Sequence, residues 1–384
     1  MRKHREITIL GSDPWLLGVT ILLCLWGVVM IYSATHNMAY DKFHDPLFYL
    51  KKHLFTLVMG TGGLLVCSRI PLPRLRQFTF PLLFLVLGLL VLLHIPGFGV
   101  RAGGALRWLK FGSFRVGQPS ELAKIAIVLY LAHSLERKQN VLHHFWYGYA
   151  PHMVVAGGIV VLLMSQPDFG TSMMILSLTV AVLFVAGIPF RYLAGSAILA
   201  LPAVYMLLVS SPYRWRRITA FLDPFAKDNI QRDAYQLVQS LKAFASGGLY
   251  GMGLGFGKQK LGFLPEAHTD FIFAVLGEEL GLIGVFLFLL LILILLYRGF
   301  LIASRCPNLF GRYLAFGLTC MIGIQCLINV GVVMGSLPTK GMPLPFLSFA
   351  RTSLVVMLMS VGILLQIEYS TRMMVFNHGK TQHG

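Results

Sequence analysis

The chain has 384 residues, 56% hydrophobic and 12% charged, with a formal net charge of +17 and a mean hydropathy of +0.73. So few charges over so many apolar runs exclude a soluble globular protein and define a polytopic α-helical membrane protein. The basic surplus then points to anionic lipid head groups, and no soluble basic domain is present to carry a nucleic-acid site.

A basic start, Met1-Arg2-Lys3-His4-Arg5, precedes an apolar run at 14–34. The run is too long for the core of a signal peptide, so it reads as an uncleaved first span. Further spans read at 54–67, 78–95, 119–135, 153–165, 171–188, 192–210, 270–296, 314–335 and 347–367. About ten transmembrane helices in one domain, 1–384, follow, with a large extracytoplasmic loop at 211–267 between the seventh and eighth. An even count puts both termini on one side. Denser short clusters such as Arg69, Arg74 and Arg76 favour that side as cytoplasmic. Cys24, Cys67, Cys320 and Cys326 lie in or beside apolar runs and Cys306 in a short connection. With no CxxC, they read as packing residues.

Two outer segments are unusually basic. The first, 96–118, holds Arg107-Trp108 and Lys110; the second opens with Tyr213-Arg214-Trp215-Arg216-Arg217. Arg beside Trp suits an interface that holds phosphates next to lipid tails, or a juxtamembrane anchor with no ligand. Within the second segment, 234–245 has helical apolar spacing and reads as an interfacial helix. Gly251, Gly253, Gly255 and Gly257 then alternate. They lack the strand–turn–helix context of a dinucleotide site and read as a flexible turn.

Three places carry chemistry. In Leu264-Pro265-Glu266-Ala267-His268-Thr269-Asp270, Asp270 stands where the polar loop enters an apolar run. It is either a working carboxylate or a helix cap. Glu278 and Glu279 deeper in that run suggest a polar cavity beside it. In Gln118-Pro119-Ser120-Glu121-Leu122-Ala123-Lys124, Glu121 and Lys124 share a helix face. They form a structural ion pair or the charged wall of a cavity shared with Asp270. Asp168, Asn329 and the Pro-rich turn 337–346 also fall on the outer side.

Together these motifs resemble the SEDS family (shape, elongation, division and sporulation), whose members include FtsW and RodA. The resemblance covers nearly the whole chain. It rests on Gly104-Ala105-Leu106-Arg107-Trp108, Gln118–Glu121 with Lys124, Pro167-Asp168-Phe169-Gly170-Thr171, and 217–224. Leu264–Phe271, Gly277-Glu278-Glu279-Leu280-Gly281 and 337–346 complete it. Ala267 and Pro338-Thr339-Lys340-Gly341 look more like the division members than the elongation members. The resemblance implies a peptidoglycan glycosyltransferase of the cytoplasmic (inner) membrane, at the division septum. Its substrate would be lipid II, an undecaprenyl-pyrophosphate disaccharide-pentapeptide, and its partners a class B penicillin-binding transpeptidase and other division proteins.

It also implies Asp270 as the catalytic residue and Glu121 and Lys124 as charged residues of the substrate cavity. Arg107, Arg214, Arg216 and Arg217, whose guanidinium forks suit pyrophosphate oxygens, together with His268 and Lys340, complete the expected substrate-binding set. No cofactor is certain, and a divalent cation, Mg or Mn, is one option for the leaving group. Alternatives are a lipid II translocase or a non-catalytic division scaffold. One departure stands out: where the family has Ser-Tyr-Gly-Gly before its last span, this chain has Ser348-Phe349-Ala350-Arg351. The exchange puts the packing of the last helix in question.

Overall fold

The computed structural model describes residues 12–102, 105–111, 114–226, 229 and 234–381. In chain order the helices are α1 (Pro14–Phe43), α2 (Phe48–Arg69), α3 (Leu72–Gln77), α4 (Thr79–Leu92), α5 (Pro119–Arg137) and α6 (Ala150–Ser165). There follow α7 (Phe169–Val185), α8 (Phe190–Val209), α9 (Pro212–Leu222), α10 (Tyr235–Gly247), α11 (Ile272–Arg305), α12 (Leu309–Val333) and α13 (Arg351–Thr381). Each expected span coincides with a helix. Among the described residues five helical segments are long and apolar enough to cross a membrane, and three shorter helices are apolar. α2 and α5 lie outside both groups because polar and charged residues lower their hydropathy; in α5 these include Glu121, Lys124 and His133, which are buried inside the bundle.

The boundaries moved where polar residues continue a helix. α1 runs past the apolar stretch to Phe43, closed by His44 in the left-handed region (φ 52°). α13 begins only at Arg351, because 343–350 is turn and extended backbone, and it continues to Thr381. Its crossing with α2 is close: a Cβ at Gly362 would meet the Leu64 carbonyl, and one at Gly60 would be 2.5 Å from Leu358. Arg351 is exposed at the start of α13, with its guanidinium 5.9 Å from the Trp108 ring centroid.

The first outer segment folds into a sheet that the sequence reading lacked. Strands β1 (Gly99–Ala102), β2 (Ala105–Phe111) and β3 (Phe114–Gly117) pair antiparallel in the order β1-β2-β3. Gln118 links β3 to α5 directly, so the sheet sets where Arg107 stands relative to Glu121.

The second outer segment also differs from expectation. α10 packs one face on the bundle: Leu237, Val238, Ser240 and Ala243 are buried, and Ser240 donates to the Val333 carbonyl at 2.6 Å. Gly247 allows this, since a Cβ there would collide with the Gly277 carbonyl of α11. α11 itself is broken at Gly281 (φ 64°, ψ −165°), a backbone region open to glycine almost alone. The break frees main-chain groups, and the Gly-rich segment takes them. The Met252 and Gly253 amides donate to the Glu278 and Glu279 carbonyls (2.9 and 3.0 Å), and those of Leu282 and Ile283 to Gly248 and Leu249 (3.0 and 3.3 Å). Irregular backbone at membrane depth survives only when its polar groups are satisfied inside the protein. The alternating glycines are thus a patch over a broken helix, with φ of 81°, 96° and 87° at Gly251, Gly253 and Gly255.

Candidate active site

The broken helix also aims the loop that carries Asp270. The Glu278 carboxylate accepts from the Lys258 amide (2.8 Å) and the Gln259 amide (3.2 Å). Glu279, fully buried, accepts from Ser33 of α1 (2.6 Å) and Lys260 (2.5 Å). These two glutamates therefore line no cavity with Asp270. They pin residues 258–260, and the reading of them as inner cavity walls is corrected. A tight turn follows: Glu266 has φ 55°, and its carbonyl accepts from the amides of Thr269 (3.1 Å) and Phe271 (3.2 Å).

Asp270 emerges from this turn. Asn329 of α12 holds its carbonyl at 2.7 Å and, with the same amide nitrogen, the Met342 carbonyl at 2.6 Å. α11 begins at Ile272 with Phe271 as its cap and no side-chain cap bond, so Asp270 is not the helix cap. Its carboxylate lies against Gly341, where an added Cβ would sit 2.5 Å from Oδ2. Burial pushes its pKa up to about 7; Glu266 adds to the rise and Arg107 opposes it.

The cations gather on the turn beside it. Lys340 runs over the start of α7, with its ammonium 4.2 Å from the Phe169 ring centroid and its stem against Gly170. Asp168 caps α7, accepting from the Thr171 hydroxyl at 2.8 Å, and stands 3.8 Å from the Arg107 guanidinium. Arg217 donates to the Thr339 carbonyl at 2.9 Å, tying α9 to the same turn. Asp270 and Arg217 thus meet Lys340 on 339–342, and Arg107, beside Asp168, is near enough to act on Asp270. Arg216 is exposed on α9, and the side chain of Arg214 lies outside the described residues. His268 turns into an aromatic group, its ring centroid 5.2 Å from Tyr49 and 5.9 Å from Phe349. Burial lowers its pKa, with Glu266 raising and Lys42 lowering it.

Glu121 and Lys124 lie one layer deeper. The ammonium is 2.7 Å from Glu121 and donates to Gln325 at 2.6 Å. Gln325 in turn donates to the Pro343 carbonyl (2.9 Å) and the Ser353 hydroxyl (3.0 Å). The pair is buried, and through Gln325 it braces the turn that carries Lys340 and Gly341. Sequence reasoning missed Gln325 and the Arg107–Asp168 contact. Gln325 and Asn329 are one turn apart in an apolar run, and that spacing was the available signal. No group of three or more His, Cys, Asp or Glu that could hold a metal ion occurs among the described residues.

An integral membrane helical bundle, with a carboxylate and several cations fixed by a re-entrant loop, defines a polytopic protein whose polar site faces the membrane boundary. The chain belongs to the FtsW/RodA/SpoVE cell cycle protein family, whose profile matches residues 14–373. It is 45% identical over 361 residues to the probable peptidoglycan glycosyltransferase FtsW of Geobacter metallireducens, covering 94% of this chain and 95% of that one. It is 39% identical over 362 residues to stage V sporulation protein E of Bacillus subtilis, covering 94% and 98%. Among solved structures it resembles a chain described under structural coordination of polymerization and crosslinking by a peptidoglycan synthase complex. There the TM-score is 0.77 at 28% identity, covering 94% of this chain and 98% of that one. It also resembles the Thermus thermophilus rod shape determining protein RodA, with TM-score 0.69 at 28% identity, covering 93% and 97%.

Proposed function

We propose that this chain is a peptidoglycan glycosyltransferase that polymerises lipid II during cell division, with Asp270 as its base. The observation that carries the reading is the Asp270 carboxylate. It is held at the loop–membrane boundary by Asn329 through its backbone, faces Gly341, and has a pKa pushed up to about 7. A general base works best with a pKa near the working pH, and base catalysis contributes roughly 10²–10⁴ in rate.

In the reaction, Asp270 takes the proton from the acceptor sugar's 4-hydroxyl as that oxygen attacks the donor's anomeric carbon. The bond from that carbon to the pyrophosphate oxygen breaks, and the undecaprenyl pyrophosphate leaves with the electron pair. The α-linked donor becomes a β-linked product by inversion. Lys340, Arg107 and Arg217, with Arg216 of the same helix as Arg217, serve to steady the departing phosphates in this reading. Arg217 is held on the 339–342 turn by its bond to the Thr339 carbonyl. Glu121 and Lys124 act from beneath, through Gln325. In a membrane with both termini cytoplasmic, the site opens outward and 211–267 is the large outer loop. The single domain spans 1–384, and a class B penicillin-binding transpeptidase is the partner.

A translocase is the second reading, and one observation favours it: transporters commonly break a helix at a binding site, and α11 is broken at Gly281. Here, however, the Glu278 and Glu279 carbonyls and the Leu282 and Ile283 amides are taken by 248–253 rather than offered to a substrate. Purified protein reconstituted with fluorescent lipid II and the transpeptidase tests the proposal. Glycan polymer is the expected product. Transfer of lipid II across sealed vesicles without polymer would replace it with the translocase.

A further inference from the structure

α5 is nineteen residues long, so its far end lies about 28 Å from Pro119, at the opposite end of the bundle from Asp270. There a cavity of about 260 Å³ is lined by Phe80, Tyr130, His133, Ser134, Arg137 and Lys138. A water's share of liquid volume is about 30 Å³, so the space holds a group of several heavy atoms.

Its wall contains an unusual side chain. His133 is only 6% exposed, yet neither ring nitrogen has a hydrogen-bond partner among the described residues. Its ring edge meets Phe80, centroids 5.3 Å apart at 81°, and both residues line the cavity. A buried imidazole without partners calls for a ligand with acceptor oxygens. The rim supplies the matching charge. Arg137 is exposed and Lys138 half-buried, and neither has a carboxylate partner among the described residues. The neighbouring carboxylate, Glu136, is taken by Arg76 at 3.2 Å. Phe80 and Tyr130 give the opening an apolar wall, and Phe80 is 43% exposed on the flank of the bundle.

We infer that this cavity binds the phosphate head group of an anionic glycerophospholipid. Two cations and the single N–H of the imidazole meet the phosphate oxygens, and the aromatic wall meets the glycerol and the first acyl carbons. Basic pockets between membrane helices recognise phospholipid heads in this way. The aromatic wall at the membrane boundary favours a lipid over a free phosphate ion. The site is separate from the reaction centre, and it sits on the helix that also carries Glu121 and Lys124.

The test is native mass spectrometry of the detergent-purified full chain, titrated with phosphatidylglycerol and, as control, phosphatidylcholine. Variants are Arg137→Gln/Lys138→Gln, both on the rim, and His133→Phe, which removes both ring nitrogens at nearly the same ring shape and keeps the rim charges. The inference predicts a phosphatidylglycerol adduct on the parent protein and at least about tenfold weaker retention in the double variant. It predicts loss in His133→Phe as well. Equal retention in the double variant overturns the site even if His133→Phe fails to fold. Loss in the double variant with full retention in a folded His133→Phe means loose attraction to a basic surface, and overturns the cavity. Displacement of the lipid by millimolar inorganic phosphate overturns the lipid as occupant.

Discussion

Asp270 shows at the scale of one residue how a site is tuned. Burial raises its pKa from an ordinary 3.8 to about 7. A base must be ionised to work, so kcat/KM for glycan polymerisation should fall about tenfold per pH unit below pH 7 and level off above it. The same shift has a stability cost of the opposite sense. The folded state holds this proton more tightly than the unfolded state, so stability falls as pH rises from about 4 to about 7. The full cost, at most about 4 kcal/mol and less where water reaches the carboxylate, is present above pH 7. Asp270→Asn should therefore unfold at higher temperature than the parent at pH 8 and match it near pH 4. Identical melting at both pH values would show that the carboxylate is not desolvated.

Glu121 and Lys124 give a second test at this scale. Removing one partner of a buried pair leaves the other charge stranded, at roughly 3–5 kcal/mol. Lys124→Met should lower thermal stability in detergent by that order. Glu121→Gln/Lys124→Met should recover most of it, since neutral groups of similar volume need no counter-charge. Activity should not return with stability, because Gln325 loses the ammonium that orients it toward Pro343. A double variant that is both stable and fully active would make the pair purely structural.

Elements explain why the site holds its shape. The Gly281 break, the segment 248–260 and α10 form one unit: the segment completes the hydrogen bonds of the break, and Glu278 and Glu279 clamp its far end. Gly281→Ala adds a Cβ against Leu249 and Gly251 in a region that only glycine tolerates. It should cost about 1–3 kcal/mol and expose 248–260 to limited proteolysis. A Gly281→Ala protein with unchanged melting and cleavage would count against the clamp. These links were only partly legible in the sequence. The apolar runs gave the helices, because hydropathy over 18–20 residues dominates their insertion. The break was hidden because Gly281 sits in an apolar run where periodicity continues across it. The role of Gly251–Gly255 was hidden because their partners, the Glu278 and Glu279 carbonyls, belong to the backbone. The sheet at 99–117 was hidden by its shortness and its basic, irregular pattern.

For the whole molecule, Asp270, Lys340, Arg107 and Arg217 come from four separate stretches of chain, and only tertiary packing brings them together. The residue types and the family resemblance pointed to them. The sequence could not show that Arg107 stands beside Asp168, or that Lys124 reaches the site only through Gln325. If the transpeptidase docks its single membrane helix on the outside of this bundle and touches the outer loops, the two proteins should co-purify from membranes in mild detergent. Separate elution, with each protein active alone, would remove the partner from the account. The most direct measurement of the central claim is lipid II polymerisation by purified Asp270→Asn beside the parent protein, with lipid II binding and partner association measured on the same preparations. The account predicts normal binding and association with no glycan polymer; polymerisation near the parental rate would contradict it.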